Sequence, residues 1–199
     1  KLTRRDKLEQ VLRGIDTVTA LPFKQLKLNA VILGGHNDDE VETVVDYALQ
    51  RNMDISFIEE MPLGAISDHD RAEVYVSSDT ILKRLQTRWQ LTPSPHKTGG
   101  PSRYFQIAGE RSKIGFISPH SHNFCSTCNR VRMTVEGRLL LCLGNEHSKD
   151  LKSVLRAHPN DLKPLQDHIV KALALKPEKH HFNLDEEPQI LRFMSATGG

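Results

Sequence analysis

Apolar residues recur at helical spacing near the start of the chain and then concentrate in strand-like runs. The first periodic pattern predicts a helix that ends before Pro22, with apolar positions at Leu8, Val11, Leu12, Ile15 and Val18. Strands are predicted at residues 26–33 and 54–61, separated by a helix that Asn37 is placed to cap. This alternation of helices and strands is typical of a parallel α/β sheet or barrel.

The pattern changes in the second half of the chain. The segment from Thr92 to Pro101 is rich in Pro, Gly and Ser and is the best linker candidate. Beyond it we predict short strands at 103–108 and 113–117, a cysteine-containing hairpin, and helices near 150–158 and 161–175. We therefore expect two domains, an α/β domain at residues 1–100 and a smaller α+β domain at residues 101–199.

Composition excludes several classes of protein. A net charge of +2 over 199 residues gives no concentrated basic face, so we expect no nucleic-acid partner. The longest apolar runs span a few residues, so we expect no membrane span, and the start does not resemble a signal peptide. We expect a cytoplasmic protein. The chain begins at Lys1 without an initiator methionine, and we expect it to be a piece of a longer protein.

The three cysteines of the chain form the strongest chemical signal. Cys125 and Cys128 stand in a CxxC pair, and Cys142 follows thirteen residues later. The stretch between them predicts a hairpin that turns at Glu136-Gly137 and returns Cys142 to the CxxC loop. Three converging thiolates repel one another unless a metal compensates their charge. The sequence therefore predicts a metal centre.

The identity of the metal stays open on spacing alone. A structural zinc site needs a fourth ligand, which His120 or His122 can supply. An iron–sulfur cubane held by three cysteines instead leaves one iron free for another ligand. The odd number of clustered cysteines argues against a disulfide framework. A chance CxxC with a buried third cysteine is the least favoured interpretation.

Two arginines follow the second cysteine directly. Arg130 and Arg132 share one face of a regular strand, where their guanidinium groups can bind phosphate or carboxylate. A strict two-residue turn pairs Cys142 with Val131, which places Cys142 on the face opposite both arginines. A bulge or an irregular start at Asn129 would remove this conflict.

The run from His122 to Arg132, together with Cys142 and a terminal Gly198-Gly199, resembles the C-terminal half of the MoaA family. These proteins are the radical-SAM GTP 3′,8-cyclases of molybdenum cofactor biosynthesis. The resemblance extends upstream through residues 27–31, 37–40 and 57–64 and so covers nearly the whole chain. It implies the C-terminal βα units of an incomplete TIM-type radical-SAM barrel, followed by a smaller iron–sulfur domain.

The resemblance also implies roles for individual residues. It implies an auxiliary [4Fe-4S] cluster whose ligands are Cys125, Cys128 and Cys142. It assigns contact with S-adenosyl-L-methionine to Met61 and support of catalysis to Gly198 and Gly199. The residues it implies for GTP binding are Lys27, Arg130, Val131 and Arg132. One departure is Ser56, which stands where many relatives have an arginine thought to help hold the substrate.

The family's reaction converts GTP to 3′,8-cyclo-7,8-dihydro-GTP, the first step of molybdopterin biosynthesis. A second [4Fe-4S] cluster is expected on a CxxxCxxC segment that these 199 residues lack, so we expect the chain alone to be inactive. The resemblance further implies a homodimer and, by pathway, a downstream cyclic pyranopterin monophosphate synthase. The alternatives are a zinc-binding interaction module and another radical-SAM enzyme with an auxiliary cluster.

Overall fold

The structure is a computed structural model that describes residues 5–64, 70–180, 182–186, 190–192 and 197. Its helices are α1 Leu8–Thr19, α2 Val41–Gln50, α3 Arg71–Val74, α4 Ser78–Gln86, α5 Leu151–Ala157 and α6 Lys163–Leu173. Its strands are β1 Lys27–Val31, β2 Asp54–Ile58, β3 Leu91–Pro93, β4 Arg103–Ile107, β5 Lys113–Ile117, β6 Arg132–Met133, β7 Arg138–Leu140 and β8 Ser148–Asp150. The predicted alternation of helices and strands is confirmed in the first half of the chain.

Two compact units make up the described chain. The first unit draws on Lys1–Ile32, His36–Ile58 and Ser78–Ile117, and the second on Leu33–Gly35, Glu59–Ser77 and Ser118–Gly199. The predicted division into residues 1–100 and 101–199 concerns folding domains and stays a prediction.

The first unit is built on a mixed five-stranded sheet. Its strand order is β1-β2-β5-β4-β3. Strands β1, β2 and β5 are parallel, whereas β4 runs antiparallel to β5 and β3 antiparallel to β4. The α/β class predicted from the sequence is therefore confirmed. The expected linker is shorter than predicted, because Thr92 and Pro93 belong to β3.

Helices α2 and α4 belong to the first unit and bury an apolar stripe each. The buried positions of α2 are Val41, Val45 and Ala48, which is the periodicity that the sequence predicted. The prediction that Asn37 caps this helix is wrong, because a 3₁₀ helix at Asp38–Glu40 precedes α2 and the side chain of Asn37 makes no capping hydrogen bond. Its Nδ2 instead donates to the carbonyl of Val31 over 3.0 Å. No residue of α1 is buried, although its apolar positions follow the predicted helical spacing.

The two faces of the five-stranded sheet differ in chemistry. Side chains alternate between faces along a strand, and residues paired in register share a face. One face carries Ile55 and Phe57 beside Ile114 and Phe116, all at most 1% exposed. The other face is polar, and its composition is described with the candidate site below.

The second unit contains the small antiparallel sheet β6-β7-β8 and helices α5 and α6. The Asp150 carboxylate caps α5 by accepting from the N–H of Ser153 at 3.0 Å. The core of this unit consists of Leu139, Leu141, Leu151 and Ala172, against which Leu165 and Ile169 pack. This core joins β7 to both helices, which confirms the two helices predicted near 150–158 and 161–175.

The hairpin turn differs from the prediction by one residue. Arg132 pairs with Leu140, and the N–H of Thr134 donates to Arg138 over 2.9 Å, so the loop holds three residues instead of two. Gly137 ends this loop with φ +79°, a conformation that glycine adopts without strain. The predicted two-residue turn at Glu136-Gly137 is therefore wrong, and the register moves by one position.

Within the part of the chain that the structure describes, no helix has both the length and the apolar composition needed to cross a bilayer.

Candidate functional site: a three-cysteine loop and a polar sheet face

The CxxC pair lies on a single tight turn. Residues Cys125–Thr127 form a short 3₁₀ helix, and the N–H of Cys128 closes it by donating to the carbonyl of Cys125 over 3.0 Å. The side chain of Asn123 caps the turn by accepting from the N–H of Cys125 at 2.8 Å. All three cysteines are half-buried free thiols. The turn therefore carries two thiols on one hydrogen-bonded loop.

Cys142 approaches this turn from the end of the hairpin. Leu139 and Leu141 face the core of the second unit, and strand alternation gives Leu140 and Cys142 the opposite direction. The ladder ends at the Arg132–Leu140 pair; at its register, position 142 would fall opposite position 130 and not opposite Val131. The three-residue loop therefore removes the conflict that a strict two-residue turn would create between Cys142 and the arginines.

The thiols differ in their electrostatic surroundings. Burial would raise the pKa of Cys128, but the backbone N–H of Arg130 and the ammonium of Lys176 outweigh it and leave this pKa below its ordinary value. Burial raises the pKa of Cys142, and the charges of Cys125 and Cys128 act in the same direction. Cys142 thus lies near enough to Cys125 and Cys128 for their charges to affect its ionisation.

Lys176 is a residue of this site that the sequence analysis did not identify. Its Nζ lies 2.7 Å from the carbonyl oxygen of Leu141, 3.1 Å from that of Arg130 and 3.9 Å from Sγ of Cys128. No local motif marks this lysine, because it comes 34 positions after Cys142 in the sequence. Only the packing of α6 brings it to the cysteines.

The three thiols are the groups that could hold an iron–sulfur group at this site. Among the described residues, no three His, Cys, Asp or Glu side chains stand as a ready-made set of metal ligands. The three thiols are free of disulfides and half-buried, the charges of Cys125 and Cys128 act on Cys142, and the ammonium of Lys176 lies 3.9 Å from Sγ of Cys128. The chemistry of these donors fits a thiolate-bound group, around which the two segments would have to close.

His120, one of the two candidate zinc ligands, is already engaged. Its Nε2 lies 2.8 Å from the carbonyl oxygen of Glu60. Its ring packs edge-on against Tyr75 with centroids 5.5 Å apart, and against Phe182 at 5.8 Å. These contacts hold the imidazole in a packed environment, which disfavours a Cys3His zinc site completed by His120.

Glu59 organises the loop that leads to the cysteines. Its side chain is buried and accepts hydrogen bonds from the N–H groups of His120 at 3.0 Å and Ser121 at 3.1 Å, and from the Ser121 hydroxyl. Glu60 instead faces the buried guanidinium of Arg71 at 3.5 Å. The different partners of the two glutamates give Glu59 a structural role that no local motif had indicated.

The arginine segment lies directly beside the CxxC turn. The guanidinium of Arg130 stands 5.2 Å from the ring centroid of Phe124, a cation–π distance. Arg132 begins β6, and Val131 between them is 38% exposed. This segment therefore offers exposed positive charge next to two of the thiols.

Met61 lies in the segment that follows β2, where its carbonyl accepts from the N–H of Leu63 over 2.7 Å. The tail of the chain pairs with this segment, because the N–H of Gly64 donates to Ile190 over 2.7 Å. Two residues later, Arg192 donates to the carbonyl of Asn145 over 2.8 Å and pairs with Glu146. The tail thus contacts both the segment after β2 and the loop after Cys142. Gly198 and Gly199 lie outside the described residues.

Lys27 lies on the polar face of the five-stranded sheet. Its Nζ is 3.1 Å from the hydroxyl of Tyr104 and 5.4 Å from the centre of that ring. Hydrogen bonds with Lys27, Thr98 and Ser102 outweigh the effect of burial, which alone would raise the pKa of Tyr104, and leave it below its ordinary value. Register explains the arrangement, because Lys27 and Tyr104 occupy the same face of the sheet.

Ser56 lies fully buried on the same face, at the centre of the sheet. Its hydroxyl is 2.9 Å from that of Ser102. Gly115 is opposite both, and a Cβ atom there would overlap both hydroxyl oxygens. Ser56 and Ser102 therefore form a hydroxyl pair that fits only because residue 115 has no side chain. The sequence analysis had not identified Ser102 or Tyr104.

These features define a class of protein: a mixed α/β protein with a three-thiol loop flanked by arginines. The model of the family described as Molybdenum Cofactor Synthesis C matches residues 53–182, which include every cysteine and both arginines. The chain belongs to this family.

Curated relatives agree with this assignment. The chain is 55% identical over 197 residues to a GTP 3′,8-cyclase of Ectopseudomonas mendocina, with 99% of the chain covered. It is 56% identical over 199 residues to a protein of the same name from Saccharophagus degradans, and 57% identical to one from Pseudomonas entomophila. The chain spans 60% of the length of each of these relatives.

Proposed function

We propose that this chain is the C-terminal part of a GTP 3′,8-cyclase, which converts GTP to 3′,8-cyclo-7,8-dihydro-GTP at the start of molybdopterin biosynthesis. The observation that supports it most directly is that Lys176 contacts Sγ of Cys128, the carbonyl of Arg130 and the carbonyl of Leu141, so the segments that carry Cys128 and Cys142 lie close together. The relatives that share this sequence over its whole length carry the name of that activity.

The three cysteines are proposed to hold an auxiliary [4Fe-4S] cluster. When bound to three thiolates, such a cluster keeps one iron for a ligand other than cysteine. In the proposed role, Arg130 and Arg132 hold GTP beside the cluster through charge-assisted hydrogen bonds, with Val131 between them. Their guanidinium groups stay charged at any working pH, so this attraction needs no proton transfer.

Lys27 is proposed to bind GTP phosphate. Its ammonium has donors left after the contact with Tyr104, since a lysine carries three. With Ser56 in place of the usual arginine, this face has one fewer fixed positive charge than in many relatives. The hydroxyls of Ser102 and Tyr104 supply hydrogen-bonding groups there instead.

The remaining roles follow from the same proposal. Met61 contacts S-adenosyl-L-methionine, whose cleavage uses a second [4Fe-4S] cluster held by cysteines outside this sequence. Gly198 and Gly199 support catalysis from the chain end. The first unit supplies βα units of an incomplete TIM-type barrel, and the second unit carries the iron–sulfur domain. A homodimer in the cytoplasm, passing its product to cyclic pyranopterin monophosphate synthase, completes the proposal.

Metal analysis tests the cluster. We expect protein purified without oxygen to be brown, with iron and sulfide but no stoichiometric zinc. Replacing Cys125, Cys128 and Cys142 together with serine should remove this iron, because these thiolates are the proposed protein ligands of the cluster. A colourless protein containing one tetrahedral zinc would instead support the zinc-binding interaction module.

GTP binding tests the substrate. We expect Arg130→Ala and Arg132→Ala each to weaken GTP binding by about tenfold or more, through loss of a charge-assisted hydrogen bond. Arg138→Ala is the matched control, because this arginine lies on β7 of the same hairpin and donates to Ser148 at 2.9 Å. Equal affinity in all three variants would contradict GTP as the ligand and leave another radical-SAM substrate in its place.

A further inference from the structure

Lys176 lies three residues beyond the end of α6 and is half-buried. Its N–H donates to the carbonyl of Leu173 over 3.0 Å, which extends the helix by a final turn. Helix α6 is fixed in turn by Ala172, Leu165 and Ile169, which belong to the core that also contains Leu139 and Leu141. The position of the lysine is therefore set by the apolar core of the second unit.

The ammonium of Lys176 touches both cysteine-bearing segments. It lies 2.7 Å from the carbonyl of Leu141, the residue before Cys142, and 3.1 Å from the carbonyl of Arg130, two residues after Cys128. The third neighbour is Sγ of Cys128 at 3.9 Å. A lysine ammonium has three protons and no acceptor, so these three partners use its full donor capacity.

The β-ladder between the two cysteine-bearing segments ends before it reaches the thiols. Strand β6 contains only Arg132 and Met133, so the ladder between the two segments ends at the Arg132–Leu140 pair. Beyond that pair, the carbonyls of Arg130 and Leu141 converge on Lys176. Lys176 therefore connects the two cysteine-bearing segments near the thiols, beyond the point where the ladder hydrogen bonds end.

We propose that Lys176 is a positioning residue for the three-cysteine centre, joining the segment of Cys128 to the segment of Cys142 so that the three thiols can hold an iron–sulfur group. This inference rests on the proposed function, since it assumes that the cysteines bind a cluster. Lys176 acts through the backbone of the ligand segments and holds no iron itself. Residues that orient metal ligands affect metal retention although they do not bind the metal.

The test compares iron retention in matched variants after anaerobic reconstitution. The iron missing from the triple Cys125→Ser, Cys128→Ser, Cys142→Ser variant defines the amount that this site holds. We expect Lys176→Met, which keeps the apolar stem and removes the donors, to lose that iron to a chelator about tenfold faster or more. Lys176→Arg should recover part of the retention. Lys171→Met is the control, because Lys171 is exposed on α6 and makes none of the three contacts.

The outcomes separate this inference from the proposed function. If the triple serine variant keeps all its iron, the proposed cluster is wrong. If it loses iron while Lys176→Met releases iron at the unaltered rate, only the role of Lys176 is wrong. Circular dichroism of each variant establishes that it is folded.

A second measurement needs no substitution at all. In the metal-free protein, acetic anhydride should label Lys176 about fivefold more slowly than Lys171, because a hydrogen-bonded, half-buried amine is protected. Mass spectrometry of the digested protein gives both rates. Equal rates would show that the ammonium does not join the segments, and would overturn the inference even if the methionine variant failed to fold.

Discussion

The side chains of the three-cysteine loop and those of the polar face of the five-stranded sheet are brought together in different ways. In the loop, the reactive groups are close in sequence, and a turn and a hairpin bring them together. On the sheet, Lys27, Ser56, Tyr104 and Gly115 come from four strands and meet only through register. The first region depends on local geometry, and the second depends on the pairing of distant segments.

Because of this difference, we expect substitutions to have different effects in the two regions. A substitution among the cysteines removes a ligand but no disulfide, so it should leave the apolar core unaffected. A substitution on the sheet face alters packing between buried strands, so it should change the free energy of unfolding first. The predictions below test this separation, beginning with the largest expected effect.

Cys142→Ser should abolish binding of the auxiliary cluster, because serine does not replace thiolate as an iron ligand. The thermal midpoint of the metal-free protein should change little. Iron analysis and calorimetry on the same preparations measure both effects. Ser126→Ala, an exposed position inside the CxxC turn, is the control that should retain iron. A large fall in the midpoint of metal-free Cys142→Ser would break the separation between the two regions.

Deleting Gly198 and Gly199 should lower turnover by about tenfold or more while leaving iron content unchanged, as expected for a segment that positions reacting groups. The assay needs the complete enzyme supplied with GTP and S-adenosyl-L-methionine. Unaltered turnover would remove the tail from the proposal. A loss of iron would instead show that the tail supports the cysteine loop, to which Arg192 connects it through Asn145.

Gly115→Ala should destabilise the first unit by about 1–3 kcal/mol, because the new Cβ overlaps the hydroxyls of Ser56 and Ser102 in a buried sheet. Urea unfolding measures this change. Gly14→Ala provides a control of opposite sign. No atom lies within 4 Å of a Cβ built at this position in α1, so alanine should stabilise the helix by about 0.5–1 kcal/mol. Equal stability of the two variants would contradict the close approach at residue 115.

Lys27→Met should raise the pKa of Tyr104, since the substitution removes a hydrogen-bond donor and a positive charge while burial remains. Phenolate absorbance, measured against Tyr104→Phe to isolate this ring, gives the pKa directly. The same variant should weaken GTP binding by about tenfold. Lys24→Met, at an exposed position before β1, is the control. An unchanged pKa would contradict the contact between Lys27 and Tyr104.

The helices and strands could be predicted from the sequence because the periodicity of their apolar residues is strong. Helix α2 buries Val41, Val45 and Ala48 as its periodicity predicts, and β2 and β5 lie where apolar runs indicated strands. The cysteine loop could be predicted for a second reason, because the CxxC pair and the hairpin that follows it are close together in the sequence. The assignment of iron–sulfur ligands and GTP contacts to these residues stays a prediction.

The remaining features depend on information that no local pattern contains. Lys176, Ser102 and Tyr104 resemble any other lysine, serine and tyrosine until the chain has folded. The hairpin register was predicted wrongly because a Glu-Gly pair is compatible with loops of two or three residues. Asn37 was expected to cap α2, but a 3₁₀ helix at Asp38–Glu40 precedes α2 and moves its start to Glu40.

Val135 affects the register of the hairpin although its side chain is almost fully exposed. It is 92% exposed at the tip of the hairpin, where it adds one position to the loop. Because side chains along a strand alternate, shortening the loop by this single residue would rotate every later position of the returning strand by half a turn. Leu139 and Leu141 would leave the core and Cys142 would point away from the arginines. At position 135 the presence of a residue therefore matters more than its identity, whereas the φ of +79° at position 137 requires glycine.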